Sequence, residues 1–471
     1  MSVDVLVRGG HVVLPERREP EQLDVAIADG RVTDLLPPGH RTRAEREWDA
    51  SGRIVTPGAV DPHVHVHWPY LGNRTADDYE IATRAAVAGG TTAIIDFALE
   101  GREDPRAAVR ARRAEAEGAA VIDFSLHCVV SDADPGVLAG MEDVVADGVT
   151  SFKLYLTYRR RGLAADDETL RRVAERAAEL GAVVGVHAED ADLDDEGTRR
   201  MKELGQGAAR YLAEAKPPLV EVEAIRRASR IVAEAGADLW VVHLSSAAGL
   251  AAALESRAAC GQPAALETCP HYLSLDRSAF ERADGHRFLC SPPLREPSDA
   301  ERLWEALAAG EIDWIGTDHL VFLAAQKDAR ADAFWDCPHG LPGLQTRPAM
   351  ILQAGLERGF SPNAIARLLS SGAARWFGLY PRKGTLLPGS DADLAVWDPD
   401  ATVTVDNDSL GMGGDWNPYQ GFPALAPPEL VLVRGQAAVS PEGDSLPAGY
   451  GRFLARAPRD RHRRSRPADD V

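Results

Sequence analysis

The sequence has little cysteine and no long apolar run. Its five cysteines (Cys128, Cys260, Cys269, Cys290 and Cys337) are scattered without CxxC spacing, which argues against a disulfide framework and against a structural zinc finger. No apolar run approaches the roughly 20 residues that span a bilayer. The first residues, "MSVDVLVRGGHVVLPE", lack the basic flank and apolar stretch of a signal peptide. We therefore expect a cytoplasmic protein that binds no membrane.

The sequence also lacks an excess of basic charge. Its 471 residues carry a net charge of -20, and 45% of them are hydrophobic, a composition typical of a globular protein. The acidic balance argues against a nucleic-acid partner. The length allows a large α/β barrel, which takes about 250 residues, together with a second domain.

The two ends of the chain resemble each other. "VDVLVRGGHVV" lies at the start and "ELVLVRGQAAV" begins at residue 429, and both patterns predict a strand, a glycine turn and a second strand. We expect residues 1–54 and 377–448 to form one small β-sandwich domain. Residues 55–376 would be inserted between its two parts. For the Arg-rich tail, residues 449–471, we expect a disordered or surface-bound extension.

The middle of the chain alternates strand and helix patterns. "DETLRRVAERAAELG" (167–181) is a typical helical stretch, and such alternation predicts the α/β class with a parallel sheet. Eight strand candidates are "IVTPGAVDPHVH", "TTAIIDFAL", "DFSLHCVVS", "VTSFKLYL", "AVVGVHAED", "LWVVHLSS", "AALETCPHYL" and "IDWIGTDHL". Eight is the number that closes a (β/α)₈ TIM barrel. A doubly wound open sheet is the alternative, but the sequence has no GxGxxG phosphate turn.

Most of these strand candidates begin with apolar residues and end with polar ones. The carboxyl ends of barrel strands meet at one mouth, where the chemistry of such folds occurs. We therefore expect a cluster at that mouth, formed by His63, His65, Lys153, His187, His243 and Asp318. A single histidine at a strand end is often a hydrogen-bonded core residue, but several at equivalent positions predict a metal site.

The segment "HVHVH" contains three histidines with alternating spacing. In a strand, His63 and His65 share a face and lie roughly 6.6 Å apart at the backbone, so both imidazoles can reach one metal ion. His67 would lie about 13 Å from His63, outside coordinating distance. We expect His67 to have a different role.

Asp318 and Lys153 extend the predicted site. Beside four histidines, the Asp318 carboxylate could hold a metal ion and accept a proton from water. Lys153 lies inside an apolar strand, where an amine either snorkels to solvent or loses its charge. A neutral amine can combine with CO₂ to form an anionic carbamate that bridges two cations. A Schiff base or an ion pair would also be consistent with its position.

The order HxH, strand-borne lysine, histidine, histidine, aspartate resembles the cyclic amidohydrolases of the amidohydrolase superfamily. The neighbouring segments are most similar to dihydropyrimidinases and D-hydantoinases over about residues 50–400. They include "PGAVDPHVH", "SFKLYLTY", "GVHAED", "VVHLSS", "ETCPHYLSLD", "CSPPLR" and "GSDADLAVWDP". "HAED" and the "GLQ" of "LPGLQTR" are more similar to allantoinases.

The resemblance implies two divalent metal ions, expected to be Zn²⁺. His63 and His65 would hold one ion. His187 and His243 would hold the other, and carboxylated Lys153 would bridge the two. The family reaction is the hydrolytic opening of a cyclic amide or ureide by a hydroxide that bridges the metal ions.

The resemblance also implies the residues around the substrate. Asp318 would be the catalytic acid and base, and Tyr158 would donate to the oxyanion. Ser291 and His339 would contact the ring amides through their backbones. The expected specificity loops contain His67, Trp68, Tyr70, Leu71 and Tyr155. Trp68, Tyr70, Leu71 and Tyr155 are bulky and largely apolar, which favours an aromatic or aliphatic substituent over a charged one, with surface or oligomer packing as the alternative role.

Two positions depart from the family pattern. Dihydroorotases carry an arginine at the position of His67, and D-hydantoinases tend to carry an acidic residue there. His339 stands where hydantoinases usually have asparagine. Allantoinase is the alternative activity, because "HAED" and "GLQ" are similar to it. Dihydroorotase, a mononuclear deaminase and a non-catalytic dihydropyrimidinase-related protein are further alternatives. By resemblance we also expect a homotetramer or a homodimer.

Overall fold

The computed structural model describes residues 2–70, 72–99 and 104–459 of the chain. Two large sheets divide these residues into a parallel barrel and a smaller β-domain. The predicted fold class, a (β/α)₈ barrel with a small β-sandwich formed from both ends of the chain, is confirmed.

The strands of the described residues, in chain order, are β1 (Ser2–Val12), β2 (Glu21–Ala28), β3 (Arg31–Leu36), β4 (Arg43–Asp49), β5 (Ile54–Pro57), β6 (Ala59–Val64), β7 (Pro69–Tyr70), β8 (Asn73–Arg74), β9 (Thr91–Ala98), β10 (Asp123–Val129), β11 (Ser151–Tyr155), β12 (Val183–His187), β13 (Asp238–Val241), β14 (Ala264–Thr268), β15 (Trp314–Ile315), β16 (Leu394–Trp397), β17 (Thr402–Thr404), β18 (Pro423–Leu425), β19 (Leu430–Val433) and β20 (Gln436–Val439).

The α-helices of the same residues are α1 (Tyr79–Ala88), α2 (Pro105–Glu117), α3 (Pro135–Ala146), α4 (Asp167–Leu180), α5 (Ala191–Glu203), α6 (Leu212–Ala215), α7 (Pro218–Glu234), α8 (Ala247–Cys260), α9 (Pro270–Ser274), α10 (Pro297–Ala308), α11 (Ala324–Asp328), α12 (Arg347–Glu357), α13 (Pro362–Ala366) and α14 (Gly372–Trp376). Short 3₁₀ turns include Arg159–Arg161. Within the described part of the chain, no helix combines the length and apolar character needed to cross a membrane.

The barrel is built from the strands that the sequence predicted. Its order is β6, β9, β10, β11, β12, β13, β14, β15, and every neighbouring pair is parallel. Every residue of β9 and β10 is buried, because helices cover the outer face and side chains fill the interior. The segments that follow the first and last strands meet through the backbone, where the His65 N–H donates to the His319 carbonyl at 2.9 Å.

Local signals explain the helices that cover the barrel. In α4, apolar residues recur with helical spacing and are buried, while the Asp166 side chain caps the start by accepting from the Thr169 N–H. Gly181 ends the helix with φ of 66°, a left-handed conformation that glycine adopts at little cost. The helix predicted at 167–181 is therefore present.

The small domain joins the two ends of the chain in one sheet. Its order is β20, β19, β16, β5, β1, β2, β3, with β4 paired to β1. The strand predicted at the start of the barrel is split, because β5 pairs with β1 and β16 whereas β6 enters the barrel. Gly58 lies at this transition, where a Cβ atom would be 2.1 Å from Thr92 Oγ1. The predicted boundary at residue 55 thus falls inside β5.

The C-terminal segment, residues 449–459, packs against the amino-terminal end of the barrel strands. Backbone bonds join it to β10, with Leu454 N–H donating to Phe124 O at 2.7 Å. Leu454 is fully buried, and Arg456 is buried with its guanidinium 3.0 Å from Ser151 Oγ. Of the two expectations for the tail, disorder is wrong for this segment, which lies on the surface of the barrel and buries the side chains of Leu454 and Arg456. Residues 460–471 lie outside the described residues.

Candidate active site

An open cavity lies at the carboxyl ends of the barrel strands. Its volume is about 460 Å³, including the solvent at its mouth, and all six residues predicted to cluster there line it. These residues come from β6, β11 and β12 and from the loops that follow β6, β13 and β15. The parallel sheet therefore brings together side chains that are far apart in sequence.

His63, His65 and Asp318 form one group of potential metal ligands. Their donor atoms lie within 4.8 Å of one another. Asp318 Oδ1 is 3.2 Å from His63 Nε2 and 3.0 Å from His65 Nε2. Although burial favours the neutral acid, the two histidines hold the pKa of Asp318 well below its usual range. An ionised carboxylate with two imidazole nitrogens is a donor set that suits Zn²⁺.

His187 and His243 form a second group. Nδ1 of His187 is 2.9 Å from Nε2 of His243, and the ring of His243 stacks 5.6 Å from that of His63. Burial lowers the pKa of both imidazoles well below the usual value. Both rings are therefore neutral, which is the form that binds a metal ion.

Lys153 lines the same cavity and packs against aromatic rings. Its Nζ is buried and has no hydrogen-bond partner among the described residues. It is 5.4 Å from the centroid of Tyr155 and 5.7 Å from that of Trp240. Burial lowers the pKa of Lys153 to about 7, against the opposing effect of Glu267 and Asp318. A substantial fraction of the amine is therefore neutral near neutral pH.

Two buried glutamates that the sequence did not single out orient these histidines. Glu267 Oε1 lies 2.6 Å from His63 Nδ1, and Glu189 Oε2 lies 2.7 Å from His187 Nε2. Lys216 holds Glu189 at 3.3 Å. Each carboxylate binds the ring nitrogen that faces away from the candidate metal position, which fixes the histidine tautomer. The sequence does contain a signal for these two glutamates. In "LETC" and "HAED", a glutamate lies at the end of a strand or just after it.

Tyr158, Ser291 and His339, the predicted substrate contacts, also line the cavity. Ser291 Oγ is 2.7 Å from His339 Nδ1, and His339 Nε2 is 2.9 Å from the Phe334 carbonyl. Because a carbonyl only accepts, Nε2 carries the proton and the Ser291 hydroxyl donates to Nδ1. The His339 ring is thus fixed in orientation at the edge of the cavity.

The predicted specificity residues divide into two sets. Trp68, Tyr70 and Tyr155 line the cavity, whereas Leu71 lies outside the described residues. His67 does not line the cavity, because its Nδ1 is 2.5 Å from Glu115 Oε1 on α2 and its side chain is 37% exposed.

The backbone explains the position of His67. Its φ of 46° lies in the left-handed region and turns the chain, which ends the alternation of the strand. The substrate-sorting role predicted for His67 is therefore corrected.

Arg161 was not singled out from the sequence, yet its side chain lines the cavity.

Together, the barrel and its mouth define a class of protein. It is a (β/α)₈ barrel with a candidate metal centre at the carboxyl ends of its strands. The model of the amidohydrolase family matches residues 54–435. The chain belongs to the amidohydrolase family.

Individual relatives match nearly the whole chain. The D-hydantoinase of Streptomyces coelicolor is 36% identical over 97% of this chain and 99% of its own length. The solved structure of a D-hydantoinase from Bacillus sp. AR9 is 37% identical, with a TM-score of 0.92, and covers 97% of this chain and 100% of its own. The dihydropyrimidinase structure from Brevibacillus agri is also 37% identical, with a TM-score of 0.92, covering 97% and 99%. The predicted resemblance to the cyclic amidohydrolase branch is confirmed.

Proposed function

We propose that this chain hydrolyses the ring of a cyclic ureide or amide, namely a 5-substituted hydantoin or a dihydropyrimidine. The observation that carries the proposal is the convergence of two histidine groups, Asp318 and Lys153 on one cavity. The likeness of the chain to D-hydantoinases over almost its whole length supports it. Retention of every predicted ligand position argues against a non-catalytic relative.

The donor set fits two divalent metal ions. His63, His65 and Asp318 would hold one, and His187 and His243 the other. The buried Nζ of Lys153, which lacks a hydrogen-bond partner among the described residues, suits a carbamate bridge to both. When bound, such ions lower the pKa of water and polarise a carbonyl. Zn²⁺ is the expected metal because imidazole and carboxylate ligands suit it.

The chain's own residues would bind the ring and move the proton. Asp318 would accept a proton from the attacking water and deliver it to the ring nitrogen as the amide bond breaks. The Tyr158 hydroxyl would donate to the oxygen on which negative charge develops. Backbone groups of Ser291 and His339 would hold the ring amides. The metal-site histidines and Lys153 are buried, so bulk water does not reach that side of the site.

The Lys153 bridge can be tested through metal content. We expect about two equivalents of metal per purified chain, as in two-metal hydrolytic sites. Lys153→Ala should lose most of the bound metal, and reloading of metal-free wild-type protein should be faster with added bicarbonate. Elemental analysis measures both, with the exposed Lys202→Ala as control. Full metal content and activity in Lys153→Ala would contradict the bridge.

A ring-opening panel tests the substrate class. We expect the metal-loaded protein to turn over 5-substituted hydantoins or dihydrouracil. The loss of the ring's ultraviolet absorbance measures this turnover. Allantoin and dihydroorotate are the competing substrates. Turnover of allantoin alone would identify the alternative activity, and turnover of dihydroorotate alone would refute the proposal.

The homo-oligomer and the cytoplasmic location stay predictions. Sedimentation would test the first, and cell fractionation would test the second.

A further inference from the structure

A guanidinium forms part of the cavity wall. The Arg161 Cζ atom lies 4.3 Å from the centroid of Tyr70 and 5.1 Å from that of Tyr158, and all three residues line the cavity. The Tyr158 ring lies 4.9 Å from the ring of His187. The Tyr158 ring therefore packs against both Arg161 and His187, which is a candidate metal ligand.

Local backbone geometry holds Arg161 in this position. The 3₁₀ turn Arg159–Arg161 lies between Tyr158 with φ of 69° and Gly162 with φ of 64°. The Arg161 N–H donates to the Tyr158 carbonyl at 2.9 Å, which closes the turn, and the Ala165 N–H donates to the Tyr155 carbonyl at the end of β11 at 2.8 Å. The position of the guanidinium is thus set by the chain and by two aromatic rings.

The two preceding arginines of the same turn face solvent and pair with surface carboxylates. Arg159 forms ion pairs with Asp192 at 2.6 Å and Asp195 at 3.1 Å, and Arg160 lies 3.4 Å from Asp336. Those pairs are solvent-exposed and contribute little energy. Arg161 stacks on the rings of Tyr70 and Tyr158, which line the cavity.

The charge of the cavity favours an anion near Arg161. Among the described residues that line it, Asp318 supplies the acidic side chain, and this carboxylate is already within hydrogen-bond distance of His63 and His65. Arg161 has five N–H donors in a planar fork, a geometry that matches a carboxylate. Two resident divalent ions would add to the positive potential.

We propose that Arg161 binds a carboxylate on the exocyclic substituent of the substrate, so that carboxyalkyl hydantoins and their dihydropyrimidine equivalents are preferred. The inference rests on the proposed ring-opening function and names its substrate class. It also replaces the expectation of an uncharged substituent. That expectation came from the bulky residues of the loops.

The first experiment compares two substrates of equal shape. The metal-loaded wild-type protein is assayed with 5-(2-carboxyethyl)hydantoin and with the corresponding carboxamide. We expect kcat/KM to be about 10- to 100-fold higher for the carboxylate, because hydrogen bonds to a charged group are stronger than those to a neutral one. The preference should weaken with added salt, since Arg161 is only partly buried.

The second experiment assigns the preference to Arg161. Arg161→Gln should bring the ratio of the two kcat/KM values close to unity, and Arg161→Lys should retain part of it, because an ammonium has charge without the fork. Arg161→Glu should shift the preference towards 5-(4-aminobutyl)hydantoin. Arg160→Gln, on the surface of the same turn, is the matched control and should keep the wild-type ratio.

The outcomes separate the inference from the function on which it rests. A wild-type ratio near unity, or an unchanged ratio in Arg161→Gln, overturns the role of Arg161 while ring opening stands. If the metal-loaded wild-type protein opens no cyclic amide of the panel, the proposed function fails and the inference fails with it. Because the wild-type ratio is itself a test, a poorly folded variant does not prevent a decision.

Discussion

Glu267 links the two candidate metal groups at the scale of a single residue. Its Oε1 lies 2.6 Å from His63 Nδ1 and accepts from the His243 N–H at 3.2 Å. Its Oε2 accepts from Trp314 Nε1 at 2.8 Å. Although burial disfavours the charged imidazole, Glu267 and Asp318 together raise the pKa of His63 to about 9. One fully buried carboxylate therefore orients a ligand side chain and a ligand-bearing backbone.

We expect Glu267→Gln to lower metal affinity about 10- to 100-fold, the usual cost of losing a partner of a metal-binding histidine. The amide nitrogen of the glutamine would also lie opposite the Trp314 N–H, so that two hydrogen-bond donors would face each other. Competition with a chelator measures the affinity. Glu255→Gln, an exposed substitution on α8, is the control. Equal metal affinity in Glu267→Gln and the wild-type protein would show that this bond is dispensable.

The sequence predicted the residues that face the mouth better than the residues behind them. A strand that ends in histidine indicates His187 and His243, because strand ends converge in a barrel. The partners Glu267 and Glu189 depend on which strands are neighbours, which the local pattern does not contain. The orientation of His67 depends on one positive φ angle, which alternation along a strand does not predict.

At the scale of elements, the C-terminal segment shows how a strand-like addition can lack a sequence signal. Its bonds go to backbone groups of Phe124, Gly148 and Gly181, which belong to different parts of the barrel. The eight barrel strands were predictable because each is apolar over several residues. This segment contains only isolated apolar residues, and its stability comes from groups spread over the chain.

We expect Leu454→Ala to reduce the free energy of unfolding by about 2–5 kcal/mol, the range for truncating a fully buried leucine. Denaturant unfolding followed by tryptophan fluorescence measures the change. Arg452→Ala is the control, because its side chain is exposed and its backbone makes the bond to Phe124. Similar stability of the two variants would mean that the segment adds little to the barrel.

For the whole molecule, a buried charge cluster joins the barrel to the C-terminal part of the small domain. Lys383 Nζ lies 2.7 Å from Asp123 and Asp393 and 3.0 Å from Asp391. Arg434 also pairs with Asp123. Although burial favours the neutral amine, these carboxylates raise the pKa of Lys383 above its ordinary value. The lysine is therefore charged and fully paired.

We expect Lys383→Met to destabilise the protein by about 3–5 kcal/mol, because removing one partner leaves buried carboxylates without compensation. The adjacent Arg382→Met is the control. Arg382 pairs with Asp391 at 2.9 Å, but its side chain is 41% exposed, so its loss should cost far less. Thermal and denaturant unfolding compare the two variants. Equal stability would mean that the cluster does not hold the domains together.

The pairing of β5 with β16 has a consequence for synthesis on the ribosome. β1 to β5 emerge first, but the sheet acquires β16, β19 and β20 only after the whole barrel has been made. At about 5–20 residues per second, this delay is on the order of half a minute. During that time one edge of β5 lacks its partner strand, so its backbone N–H and C=O groups are unpaired. Such an edge can pair with a strand of another chain. The nascent protein should therefore need protection by a chaperone until its last strands leave the exit tunnel.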